Sequence, residues 1–274
     1  MSDELDTTTW YHTIELPDGR VTPGFYDHRS LVPRIPIPAS LAGKRCLDVG
    51  SSDGFWAFEM CRRGAEEVVS LDLEDAARQE WQGRAETVHE RAARARLTSG
   101  RWEADEGRTR RAFEYAREAL DLAVERVDRS VYDISSEALG TFDFVFMGSL
   151  LLHLRDPVRA LRAVREVVGG EFVSLEPIVL SLSTVLPRTP AALLWDRDEP
   201  RWWTPNRAGL CRLIAAAGFD VVRSGGPVFQ RFGRGVPRLP SLRQRPTPRE
   251  VLFWTCVRPV GGASAWVLAR PAAA

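Results

Sequence analysis

The stretch from Lys44 to Trp56, Lys-Arg-Cys-Leu-Asp-Val-Gly-Ser-Ser-Asp-Gly-Phe-Trp, constrains this chain more than any other. Cys46, Leu47 and Val49 make the short apolar run that a buried strand needs. Gly50 to Gly54 interrupts it, and Phe55, Trp56, Phe58 and Met60 resume it at helical spacing. Strand, glycine turn and helix in that order mark the place where an open α/β sheet receives a ligand, outside the carboxyl ends of its strands. Glycines there adopt positive φ and let the backbone come close to the ligand. Eighteen residues past Gly54, the run Val68-Val69-Ser70-Leu71-Asp72 reads as a second strand ending in an acid. A nucleoside ribose finds its hydroxyl acceptor at that distance.

The combined pattern Leu47-Asp48-x-Gly50-x-x-x-Gly54 with Asp72 resembles motifs I and II of the class I S-adenosylmethionine methyltransferases. Ser52 stands where that family has its middle glycine. The resemblance implies a Rossmann-like, doubly wound α/β sheet of seven strands, mostly parallel with the last antiparallel. It implies S-adenosylmethionine as cofactor and S-adenosylhomocysteine as product. It places Asp48, Gly50, Ser51, Ser52, Gly54, Phe55 and Trp56 around the methionine end, and Asp72 and Leu73 at the end of the second strand. Asp133 and Ile134 fall against the adenine, and Met147, Gly148 and Ser149 at the strand end facing the transferring methyl. The bland alternative is an ordinary βαβ turn with a solvated Asp72.

Charge excludes other classes. The chain has 37 basic and 37 acidic residues, so no global field steers it to nucleic acid or membrane. Its only lysine is Lys44, just before the first strand. A P-loop needs a lysine after its glycines, followed by Ser or Thr, and a pyridoxal enzyme needs one in its site. A nicotinamide oxidoreductase or non-catalytic Rossmann module would show G-x-G-x-x-G, whereas Gly50 and Gly54 stand four apart. Cys46, Cys61, Cys211 and Cys256 form no C-x-x-C pair, which argues against structural zinc and against a disulfide framework. The acidic, polar first 30 residues carry no signal peptide, and no apolar run reaches the ~20 residues of a membrane span. A cytoplasmic protein is expected, as monomer or homodimer.

Residues 1–44 precede the sheet and are expected to form a lid, with 45–274 as the cofactor-binding domain. Trp10, Tyr11, His12, Tyr26 and His28 make this segment dense in aromatics and histidines, and Pro33, Pro36 and Pro38 space an extended lead-in. The aromatic and histidine segment, a glycine turn and then Gly24-x-x-Asp27 resemble the branch of methyltransferases that modifies the tRNA wobble uridine. Further along, helices are expected near 75–97 and 109–120, with a charged mobile segment at 98–108. A third strand falls near 124–127 and a fourth over 141–147. Asp156 caps a helix that begins at Pro157 and stops at Gly169-Gly170. Strands follow at 172–176 and 219–223 and a helix at 207–217, and 251–257 and 265–269 are strand candidates, one of them the antiparallel seventh strand. The aromatic insertion 181–205 is where this fold builds an acceptor pocket, and 225–250 reads as an Arg/Pro-rich loop.

Methyl transfer is an in-line displacement, so positioning dominates, and a base is needed only where the acceptor loses a proton. His153, His12 and Glu176 are the candidate bases at the right end of the sheet. Trp10, Tyr11, Tyr26, Trp202 and Trp203 are candidate substrate walls, with ordinary core as the competing reading. The expected acceptor is a small specialised metabolite, modified at a hydroxyl, or at nitrogen or carbon. The alternative is a tRNA wobble-uridine methyl- or carboxymethyltransferase, to which the arginines of 231–249 lend phosphate-tracking charge. RNA readers also carry exposed stacking aromatics, and only Phe229 and Phe232 stand near those arginines.

Overall fold

A computed structural model describes residues 5, 8–74, 78, 80, 108–195, 201–236 and 251–273. Eight strands form one sheet. In chain order they are β1 (Tyr26–Asp27), β2 (Arg45–Val49), β3 (Glu67–Asp72), β4 (Glu125–Asp128), β5 (Phe142–Gly148), β6 (Val168–Pro177), then β9 (Phe219–Phe232) and β10 (Gly262–Pro271). The two strands between them, β7 (Ala192–Leu194) and β8 (Trp203–Pro205), pair separately as an antiparallel hairpin. The sheet order is β1-β9-β10-β6-β5-β2-β3-β4. Strands β4, β3, β2, β5 and β6 are parallel neighbours, and β10 runs antiparallel between β6 and β9. The order reverses between β2 and β5, and that crevice is where an open sheet of this kind takes its ligand.

The helices are α1 (Phe55–Arg62), α2 (Arg108–Ala119), α3 (Ser136–Leu139), α4 (Pro157–Val167), α5 (Leu180–Val185) and α6 (Arg207–Ala216). Side chains alternate across each strand, so the sheet carries two cores. Leu47, Val49, Val145 and Met147 face one core with Leu161 and Val164 of α4 and Leu210 and Ile214 of α6. Cys46, Val68, Phe144 and Phe146 face the other, with Phe58 and Met60 of α1 and Phe113 of α2. Asp156 caps α4 as expected, accepting from the Arg159 N–H with Pro157 at the first turn.

The segment expected as a lid is built into the second core. Trp10, Ile14 and Leu16 are buried there with Leu31 and Leu41, and Tyr26 and Asp27 extend the sheet by pairing with Phe232 and Arg231. This edge strand is the one by which the sheet exceeds the expected seven. Gly24 is required by the fit, since a Cβ there would lie 2.1 Å from the His12 carbonyl carbon.

Three expected elements differ. Gly169-Gly170 does not end α4 as a loop but begins β6, because Gly170 passes so close to Asp143 that a Cβ would meet its carbonyl oxygen at 2.2 Å. Residues 225–232 are strand and not loop, since β9 runs on for 14 residues beside β10. Residues 251–257 are helical and not a strand, Phe253–Val257 taking a π-turn. Of the helix expected at 75–97 only residues 78 and 80 are described, and residues 98–107 and 237–250 lie outside the described residues. Among the described residues no helix is long and apolar enough to cross a membrane.

Trp10 tests the role of the first segment. It is 2 % exposed, donates from Nε1 to the Leu5 carbonyl at 3.0 Å and meets Tyr115 edge-on. Trp10→Ala is expected to lower the unfolding free energy by about 3–5 kcal/mol in urea titration, the usual cost of truncating a large buried aromatic. A loss under about 1 kcal/mol would mean that the segment lies on the domain without stabilising it.

Candidate active site

The glycine turn after β2 has the geometry a nucleoside cofactor needs. Gly50, Ser52 and Gly54 take φ of 75°, 52° and 89°. Serine in the left-handed region is strained by roughly 1 kcal/mol or more. Its N–H compensates by donating to Asp72 Oδ2 at 2.5 Å, while the Leu73 N–H donates to Oδ1 at 2.7 Å. Each carboxylate oxygen keeps lone pairs for ribose hydroxyls. Burial pushes the Asp72 pKa up, and the Arg126 guanidinium opposes that shift. Asp48 is buried beneath the turn, where its Oδ2 accepts from the Ala57 N–H at 3.0 Å and fixes the start of α1. Burial pushes its pKa up to about 8. A Cβ on Gly50 would lie 3.1 Å from Leu150, and one on Gly54 2.6 Å from Phe58. Positive φ and this close packing therefore require glycine at both positions.

Asp53, inside the same turn, reaches back to the first segment. Its Oδ2 accepts from the N–H groups of Tyr11 (2.8 Å) and His12 (2.7 Å), and its Oδ1 meets His12 Nδ1 at 2.5 Å. A carboxylate oxygen only accepts here, so Nδ1 is the nitrogen that donates. The His12 ring stacks on Phe55, with centroids 5.3 Å apart, and tilts against His28 at 4.8 Å. His28 donates from Nε2 to Gln230 Oε1 at 3.0 Å. The Gln230 amide in turn donates to Ser149 Oγ (3.2 Å) and Ser264 Oγ (2.7 Å). Burial, and next the neighbouring His12, hold the His28 pKa well below the ordinary imidazole range, so this ring is neutral.

At the carboxyl end of β6, Glu176 Oε1 accepts from the N–H groups of Leu150 (3.1 Å) and Leu151 (3.2 Å), and Oε2 is buried without a partner. Burial pushes its pKa up to about 8. Tyr11 and Tyr26 stand half-buried with ring centroids 5.2 Å apart, and burial raises both phenols. The neighbouring Tyr26, then Asp53 and Glu176, add to the shift of Tyr11, and Arg201 opposes that of Tyr26.

Other expected site residues separate into two groups. Ser149, at φ 53°, follows the end of β5, and Gly148 lies against Phe146 and Trp56. Met147, Phe55 and Trp56 are buried in the core, the latter two beneath His12 and His28. Asp133 is exposed beside buried Ile134, at the end of the short turn Val131–Asp133. His153 ends the helical turn Leu151–His153 and is half-buried. Trp202 is half-buried, with the Arg155 guanidinium 5.0 Å from its ring centroid. Trp10 and Trp203 do not form pocket walls. Both are core, and Trp203 spends its Nε1–H on the Leu154 carbonyl at 3.1 Å. Among the described residues, no cluster of three or more His, Cys, Asp or Glu could hold a metal ion.

The family model of the methyltransferase domain matches residues 24–224. The chain belongs to that family. Its curated relatives include tRNA U34 carboxymethyltransferases of Pseudomonas paraeruginosa, 29 % identical over 195 residues, and Pseudomonas putida, 27 % identical over 195 residues. Those matches cover 69 % of this methyltransferase and 49 % or 50 % of the relative, so the chain spans about half their length. Among solved structures, the N-terminal domain of EvdMO1, crystallised with S-adenosylhomocysteine and D-fucose, superposes with a TM-score of 0.53 at 15 % identity. That match covers 99 % of this chain and 95 % of the other. A S-adenosylmethionine-dependent methyltransferase from Listeria monocytogenes gives 0.50 at 10 % identity, covering 89 % and 97 %. The enzyme is a methyltransferase of this fold, whose cofactor is S-adenosylmethionine, and the Gly50–Gly54 cradle with Asp72 fits it.

Sequence reasoning missed Asp53, His28, Gln230 and Ser264. Asp53 lay inside the motif already singled out, and His28 within the aromatic segment. Gln230 lay in what read as a loop.

The buried acids make stability depend on pH. Glu176 and Asp48 bind their protons more tightly folded than unfolded. Their contribution is complete below about pH 4 and is lost as pH rises through about 8. The melting temperature is expected to fall between about pH 5 and pH 8.5. Glu176→Gln keeps a carbonyl for the Leu150 and Leu151 N–H groups and is expected to fall less steeply in scanning calorimetry. Parallel pH profiles for the two proteins would contradict the buried, protonated Glu176.

Proposed function

We propose that this methyltransferase acts on a hydroxyl of a small molecule, a specialised metabolite in class, with His12 as the base. The observation that carries this is the Asp53 carboxylate on His12 Nδ1, within the turn that cradles the cofactor. When bound, S-adenosylmethionine supplies an electrophilic methyl group on a sulfonium. His12 takes the acceptor hydroxyl's proton at Nε2, and Asp53 stabilises the imidazolium that results. Nitrogen or carbon acceptors that lose no proton would have no use for such a held imidazole. Tyr11 and Tyr26 supply aromatic walls, and Ser149 a hydroxyl held in place through Gln230. Glu176 is protonated across most of the neutral range, so it braces the 149–151 turn and does not act as base. His153 and Trp202 border the acceptor from the β5 side.

A second reading, transfer of a methyl or carboxymethyl group to tRNA, is favoured by the curated relatives and by Arg201. The Arg201 guanidinium sits 3.7 Å from the Trp195 ring centroid and acts electrostatically on Tyr26. Balanced net charge supports the small molecule instead.

Incubation with methyl-tritiated S-adenosylmethionine and an extract of small molecules plus total tRNA separates the two. Label is expected in the small-molecule fraction, and label precipitating with tRNA would establish the second reading. On the labelled acceptor, His12→Gln is expected to lower turnover by about 10²-fold or more while S-adenosylhomocysteine affinity stays within a few fold. Unchanged turnover from pH 6 to 9 would remove His12 as base.

A further inference from the structure

Arg126, on β4, is the residue of the cofactor region that neither motif nor mechanism has used. Its register partner on β3 is Ser70, which places it behind the glycine turn. The side chain is 4 % exposed. One nitrogen, Nη1, donates to the Ser52 carbonyl at 2.9 Å, and the guanidinium lies 4.7 Å from the Phe113 ring centroid. Nε and Nη2 are buried without a hydrogen-bond partner, Nε lying 3.8 Å from Glu74 Oε1. A buried arginine with two nitrogens lacking hydrogen-bond partners is expensive to keep, and the Glu74 carboxylate stands beside it.

We infer that Arg126 is a positioning residue for nucleoside binding, which fixes the Ser52 carbonyl of the glycine turn and, through Ser52, the Asp72 carboxylate that takes the ribose. This rests on Asp72 as the ribose acceptor. Ser52 is tied from both sides, its N–H to Asp72 and its carbonyl to Arg126, so the strained turn and the ribose acid are set by one cation. The charges around Asp72 are otherwise mostly unfavourable. Asp48 lies on β2, Asp53 in the turn, Glu74 beyond β3 and Asp128 opposite on β4. Glu74 is bridged to Arg110 of α2 and Asp128 to Arg78, both at the exposed rim. Among the described residues Arg126 is the buried cation behind the turn, and its charge opposes the upward shifts of Asp72 and of Asp48. Without it, desolvation and the neighbouring acids drive Asp72 towards its neutral form, which cannot accept from two ribose hydroxyls and two backbone N–H groups at once.

The test is calorimetric titration with S-adenosylhomocysteine from about pH 5.5 to 8.5 for wild type, Arg126→Met and Arg126→Lys, with the fold checked by circular dichroism. Affinity is lost as pH falls through the Asp72 pKa, and removing a cation raises that pKa. The acid limb of Arg126→Met is therefore expected at least about one pH unit above that of wild type, with binding about tenfold weaker at pH 7. Arg126→Lys keeps the charge but not the guanidinium geometry, so its acid limb stays at the wild-type pH while affinity drops at every pH. Wild-type affinity in Arg126→Met, or a loss equal at all pH values, overturns the inference. Should Arg126→Met not fold, an acid limb shifted upward in Arg126→Lys overturns it equally. Failure of the readings beneath it is distinct. Wild type that does not bind the nucleoside removes the cofactor assignment, and undiminished binding by Asp72→Asn removes the ribose acceptor.

Discussion

The site depends on one carboxylate. Asp53 accepts from the Tyr11 and His12 N–H groups and from the His12 ring, which joins the first segment of the chain to the turn after the first central strand. Hydrogen bonds to a charged acceptor contribute roughly 1.5–3 kcal/mol each when buried, so three on one carboxylate make a firm joint. The glycine turn and the first segment are thereby tied together, and the His12 ring is held at Nδ1.

Around that joint the sheet divides its duties by face. Phe55 and Trp56 of α1 point into the second core and carry His12 and His28 on their rings. Glu176 and the 149–151 turn close the crevice from the β6 side. The acids Asp48, Asp72 and Glu176, the first and last of them buried, all have raised pKa values, and desolvation is the first cause in each case. Such a concentration of desolvated carboxyls at the carboxyl ends of parallel strands is the electrostatic mark of a functional crevice.

What the sequence disclosed was what lies close along the chain. Asp48, Gly50, Gly54 and Asp72 sit within one strand-turn-helix-strand unit, where spacing alone sets geometry. The Asp156-Pro157 cap was legible for the same reason. Local signals also misled. Gly169-Gly170 has the look of a helix stop, yet it answers the close passage of Asp143 in a neighbouring strand. The Ser-Gly-Gly-Pro of 224–227 reads as a turn, but β10 supplies partners for its backbone. Trp10 and Trp203 differ from pocket aromatics only in what surrounds them. His28 and Gln230 stand 202 positions apart, and no periodicity announces a pair at that distance.

The central claim, that Asp53 holds His12 with its Nε2 free for the acceptor, is open to nitrogen-edited NMR of the histidine rings with S-adenosylhomocysteine bound. The account predicts His12 protonated at Nδ1, with a strongly downfield Nδ1 proton that disappears in Asp53→Asn. His28, bonded to Gln230 through Nε2, should show the opposite tautomer in the same spectrum. His12 found in the Nε2–H form, or a His12 signal indifferent to Asp53→Asn, would contradict it.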